Sequence, residues 1–173
     1  MSKKIVVSFP GGRGSEIPLL YLGAKHFEDI GYEKVFINHP MRVEDFSLES
    51  LLENALKTLG NINWNEYEHI VFVAKSLGTL VACKVKEILQ IQATLVLFTP
   101  LEDTLKYIRK ANDVILVAMG DNDKYLSATL LTKHCEQEGI KCHIEKGVGH
   151  RMEVANDLQR NLDIVFNVLQ HLD

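Results

Sequence analysis

The 173-residue chain predicts an α/β protein: a three-layer α/β/α arrangement around a six-stranded, mainly parallel sheet. Short β-rich runs alternate with longer amphipathic stretches along the whole chain. The central runs, HIVFVA at 69–74 and ATLVLF at 93–98, are continuously apolar. Strands covered by helices on both faces look like that. Strict alternation of strand and helix then implies right-handed crossovers between parallel strands. The length suits one domain over residues 1–173.

Lys4–Phe9 (KIVVSF) reads as the first strand. Ile17, Leu20, Ala24 and Phe27 fall at helical spacing over Ile17–Ile30, with Ser15 as candidate N-cap, Pro18 in the first turn and Gly31 as the stop. Lys34–Asn38 is the second strand. Leu48, Leu51, Leu52, Ala55, Leu56 and Leu59 mark one helical face between a Ser47 cap and Gly60. His69–Ala74 is the third strand, and Leu77–Leu89 the helix after it. Ala93–Phe98 is the fourth strand, followed by a short helix near Leu101–Arg109. Asp113–Met119 is the fifth, with a helix to Glu138 closed by Gly139. Lys141–Glu145 is a sixth, weaker strand. From Arg151 onward, Ala155, Leu158, Leu162, Val165 and Leu169 share one helical face.

Composition narrows the function classes. The chain is 46% apolar and 24% charged, the balance of a soluble globular protein. Its net charge is -4 and no basic block stands out, which argues against nucleic acid or an anionic membrane as the main partner. No apolar run approaches the roughly 18 residues of a membrane span. The N-terminus lacks the features of a secretory signal, and three cysteines (Cys83, Cys135 and Cys142) make an odd count. Reduced thiols in the cytoplasm are the expectation. The pairs His134-Cys135 and Cys142-His143 match no common zinc spacing, so no metal is expected.

The sharpest motif is Ala74-Lys75-Ser76-Leu77-Gly78, where a strand turns abruptly into a helix with a serine at the corner. Small residues at 74 and 78 let the two backbones pass close. Ser76 could be a simple helix N-cap. It could equally be a nucleophile lifted out of the sheet, with the Leu77 amide at the helix N-terminus facing an oxyanion. A serine nucleophile needs a base, and the base an orienting acid. Gly120-Asp121-Asn122-Asp123 follows the fifth strand, and Gly149-His150 follows the last. Both lie at the same sheet edge as Ser76, in the order serine, acid, histidine. His150 would take the Ser76 proton and Asp123 would fix the imidazole. Asp121 and Asp123 also read as turn residues, and His150 as a loop residue. The glycine-rich Pro10-Gly11-Gly12-Arg13-Gly14 loop could supply a second oxyanion donor, Gly12 first and Gly11 second. Arg13, His39 and Tyr125 are candidate substrate contacts, with Met41 and Tyr107 further candidates for shaping the pocket. The same loop lacks the third glycine and the GK[ST] of nucleotide sites, and the second strand ends Asn38-His39-Pro40 with no ribose-binding acid.

On the elbow at 74–78, the Gly120–Asp123 turn and Gly149-His150, the chain resembles small, lidless α/β-hydrolase-fold serine hydrolases of the esterase type. The resemblance spans nearly the whole chain. It places the acid three residues after the turn glycine, which selects Asp123 over Asp121, with Glu102 or Asp103 as fallback acids. It also implies a first strand paired between the second and third. Ala74 stands where the family usually has glycine, and Pro10-Gly11-Gly12 where it usually has His-Gly. Some fourteen residues separate the fourth and fifth strands, too few for a cap domain. The implied function is hydrolysis of an ester or thioester of a small soluble substrate through an acyl-enzyme, without a cofactor. Acyl transfer by the same residues, or an interaction protein that keeps the fold but not the activity, are the alternatives.

Overall fold

A computed structural model describes residues 3–12, 14, 17–39 and 47–172. Six strands form one sheet in the order β2-β1-β3-β4-β5-β6. They are β1 (Lys3–Phe9), β2 (Glu33–Phe36), β3 (Tyr67–Lys75), β4 (Thr94–Phe98), β5 (Val114–Gly120) and β6 (Cys142–Glu145). Every pairing is parallel, with β1 seated between β2 and β3 as expected. Among the described residues five α-helices connect and flank them: α1 (Pro18–Asp29), α2 (Leu48–Leu59), α3 (Leu77–Ile88), α4 (Ala128–Glu138) and α5 (Leu158–Leu169).

The two-residue period of the strands divides the core into two layers. Val7, Phe9, Phe72, Ala74, Leu97 and Met119 point to the face covered by α2, α3 and α4. Val6, Val71, Val73, Val96, Phe98 and Ala118 point to the face covered by α1 and α5. That double coverage is why the central strands read as unbroken apolar runs. Trp64, in a 3₁₀ turn before β3, packs edge-on to Phe72 at 6.1 Å between ring centroids.

Helix boundaries follow local chemistry. Ser47 caps α2 in a reciprocal capping box with Ser50. Pro18 opens α1 after Ile17, whose side chain makes no cap bond; the expected cap Ser15 lies outside the described residues. Between β4 and β5 the chain forms 3₁₀ turns at Glu102–Tyr107 and Lys110–Asn112, in place of a short helix. The C-terminal helix corrects the sequence reading. It starts at Leu158, capped by the Asp157 carboxylate on the Arg160 amide. Ile164 and Val168 are its buried residues, while Leu158 and Leu162 are 75% and 55% exposed. The apolar arc of this helix is broad, running from Ile164 and Val168 round to Leu158 and Leu162, so periodicity offers two stripes a fraction of a turn apart. Packing against the sheet centres on Ile164 and Val168, with Val165 and Leu169 of the expected face packed beside them and Leu158 and Leu162 left outside.

Candidate active site

Ser76 sits at the junction of β3 and α3 with φ 56° and ψ -130°, a region side chains larger than glycine's rarely enter. Its side chain makes no capping bond to the helix, so the N-cap reading falls. The turn is held by the Ser76 amide donating to the Phe98 carbonyl at 3.0 Å, and by the Thr79 amide and hydroxyl donating to the Ser76 carbonyl. Gly78 is required by close approach. A Cβ there would lie 2.2 Å from the carbonyl oxygen of Phe9, at the end of β1.

His150 follows β6 in a loop pinned to the end of β5. The Asp121 carboxylate accepts from the Gly147 and Val148 amides, and the Asn122 amide donates to the Val148 carbonyl. A Cβ at Gly120 would lie 2.0 Å from that Val148 oxygen, so the two backbones meet only over glycine. Asp121 is therefore a scaffold for the loop, and Asp123 faces the histidine. Asp123 Oδ2 accepts from His150 Nδ1 at 2.7 Å, and its Oδ1 accepts from the Tyr125 amide at 2.9 Å. With Nδ1 carrying the proton, Nε2 is the acceptor, and Ser76 Oγ lies 2.7 Å from it. The Asp123 side chain is fully buried and that of His150 is 17% exposed. The Tyr125 ring stands edge-on to the imidazole at 4.6 Å. One end of this hydrogen-bonded chain is thus dry, and the other opens outward.

It opens onto a cavity of about 300 Å³ lined by Gly11, Gly12, Ser76, Tyr125 and His150, with Lys75, Arg151 and Glu153 also on its walls. The Gly14 amide donates to the Gly11 carbonyl in a turn. Because the peptide is trans, the Gly12 amide of the same plane points the opposite way from that carbonyl. The Leu77 amide is the first of α3, where no intrahelical acceptor exists.

Not every expected residue gathers here. His39 is half-buried, with Nε2 3.4 Å from the Pro10 carbonyl and Nδ1 3.2 Å from the Asn54 amide, and it does not line the cavity. Burial pushes its imidazole below the ordinary value, against an opposing pull from the Pro10 carbonyl. Tyr107 lines a different groove, near the C-terminal end of α3 beside Glu87. Glu102 and Asp103, the fallback acids, lie in a 3₁₀ turn and make no hydrogen bond to His150. Arg13 and Met41 lie outside the described residues. Among the described residues no group of three histidine, cysteine or acidic side chains is placed to hold a metal, and no helix is long and apolar enough to cross a membrane. Lys75, to which the sequence assigns no role, has its ammonium buried beside the site. A lysine closing an otherwise apolar strand was the available signal.

No protein-family model and no curated protein matches the chain. Solved structures do. An α/β serine hydrolase homologue from Coxiella burnetii superposes with a TM-score of 0.69 at 14% identity, covering 100% of this chain and 86% of that one. A lidless α/β serine hydrolase from Xanthomonas campestris gives 0.66 at 14% identity, covering 99% and 81%. Est1E from Butyrivibrio proteoclasticus, with ferulic acid bound, gives 0.66 at 12% identity, covering 99% and 91%. At these identities the shared property is architecture: the chain has a minimal α/β-hydrolase fold.

Proposed function

We propose that the chain is a serine hydrolase acting on an ester or thioester of a small substrate. The observation that carries this is the continuous bridge Ser76–His150–Asp123, with both bonds at 2.7 Å and the serine end facing the cavity. Serine hydrolases among the solved structures of the same fold, and Est1E with its bound ferulic acid, support it.

The chemistry follows from the geometry. Ser76 Oγ attacks the substrate carbonyl carbon as its proton passes to His150 Nε2. Asp123 holds the Nδ1 tautomer and stabilises the imidazolium. The developing oxyanion meets the Leu77 amide and the Gly12 amide, with Gly11 the second choice. The tetrahedral adduct collapses as its carbon–oxygen or carbon–sulfur bond breaks, and His150 returns the proton to the leaving group. Water, deprotonated by His150, then attacks the acyl-serine. A second collapse releases the acid and restores Ser76. No step needs a cofactor.

The test is intact-mass analysis after treatment with a small fluorophosphonate, on wild type, Ser76→Ala and His150→Ala. One adduct on wild type and none on either variant is expected, followed by turnover of p-nitrophenyl acetate or its thioester analogue. A folded wild-type protein that takes no adduct refutes the proposal.

A further inference from the structure

The mechanism above gives Lys75 no task, yet its position is costly. It is only 3% exposed, and burying an ammonium demands well-placed partners. Its Nζ donates at 3.0 Å to the backbone carbonyl of His150 and at 3.0 Å to Thr99 Oγ1. Thr99 is fully buried at the end of β4, with φ 46°. A β-branched residue in the left-handed region is an outlier. Here the Thr99 amide is held on the Ala118 carbonyl at 2.7 Å, leaving the hydroxyl to accept from Lys75. Ser76 (φ 56°) and Met152 (φ 59°) are strained in the same way. Positive φ thus falls at Thr99 itself, at Ser76 next to Lys75, and at Met152 two residues beyond His150. Strain of this kind persists where surrounding structure over-determines it, and it gathers at functional sites.

The bridge has a geometric consequence. On the β5 side, Asp121 and Asn122 pin the loop that carries His150. Lys75 fastens the same loop on the β3 side, from the residue next to Ser76. Nucleophile and base are thus tied through a single side chain as well as through the sheet. We infer that Lys75 is a positioning residue that sets the Ser76–His150 separation by holding the His150 carbonyl, with Thr99 as its support. This rests on the hydrolase reading for its kinetic consequence, but not for the tether itself.

Two measurements test it, on wild type, Lys75→Met, Thr99→Val and Thr99→Ser. Amide hydrogen exchange across residues 148–152 reads the tether without any reaction. Exchange there should quicken in Lys75→Met and Thr99→Val, and Thr99→Ser, which keeps the hydroxyl, should resemble wild type. Kinetics with p-nitrophenyl acetate read the consequence. A small misplacement of a reacting group should cost Lys75→Met roughly 10- to 100-fold in kcat. KM should stay within about threefold, because substrate binding is not what is lost. Thr99→Val should fall in the same direction and Thr99→Ser recover most of the rate. Unchanged exchange in a folded Lys75→Met overturns the tether, whether or not the wild type is an enzyme. Wild-type kcat, or a KM effect as large as the kcat effect, overturns the positioning role. If Lys75→Met fails to fold, Thr99→Val decides by the same criteria.

Discussion

Replacing Gly78 by alanine puts a methyl group where none fits. The added Cβ would lie 2.2 Å from the Phe9 carbonyl oxygen, 2.7 Å from the Phe9 carbonyl carbon and 2.7 Å from the Pro10 oxygen. All three are backbone atoms, so no rotamer change relieves the contact. Carbon and oxygen settle at about 3.3 Å or more, so roughly 1 Å must open between the start of α3 and the end of β1. Overpacking of this severity costs about 3 kcal/mol. For a chain of this size that lowers the melting temperature by roughly 6–12 °C. The same movement carries the Leu77 amide away from the Gly11–Gly12 loop and pulls on the strained Ser76. A shift of that order should slow fluorophosphonate modification about 100-fold. Thermal unfolding gives the first quantity, and time-resolved intact mass gives the second. Gly60→Ala is the control, since Gly60 has helical φ (-63°) and its nearest neighbour is a Leu56 oxygen at 3.2 Å. A Gly78→Ala protein with wild-type stability and wild-type reactivity would refute the close approach and the elbow geometry built on it.

Asp123→Asn should leave the fold intact and slow ester hydrolysis by roughly 10³- to 10⁴-fold, because an amide no longer fixes the Nδ1 proton of His150; hydrolysis within tenfold of wild type would remove Asp123 from the mechanism. Ser8 Oγ is buried in β1 without a hydrogen-bond partner, so Ser8→Ala should stabilise the protein by about 1 kcal/mol, read from urea unfolding; a loss of stability would contradict this. The Glu145 carboxyl is pushed up by burial, but hydrogen bonds from His143 and Arg160, and their charges, outweigh that and hold it below the ordinary 4.5. A depressed carboxyl stabilises the fold above its unfolded value, and that contribution is lost as pH falls through the folded value. Stability should therefore drop as pH is lowered below about 4.5, and Glu145→Gln should flatten that drop; urea midpoints from pH 7 to pH 3 that fall equally in both proteins would refute it.

Much of this molecule is legible in its sequence because its main features are local or periodic. The apolar strand runs and the Ser47 cap mark element ends without reference to anything distant, whereas what Gly78 and Gly120 approach, Phe9 and Val148, is set by the packed fold. Parallel connection then sends every strand's C-terminal end to one edge, so Ser76, His150 and an acid of the Gly120–Asp123 turn could be nominated together from strand order, while the choice of Asp123 over Asp121 came from the resemblance. Tertiary structure decided what local pattern leaves degenerate. It chose the Ile164–Val168 stripe of α5 over Leu158–Leu162, because burial depends on which face meets the sheet. It assigned Asp121 to the loop amides and Asp123 to the imidazole, a matter of which way each side chain leaves one turn. It drew Tyr107 and His39 off the cavity walls and brought Lys75 onto the His150 carbonyl. Those contacts join residues up to 75 positions apart, and such distances close only when the sheet and its helices pack.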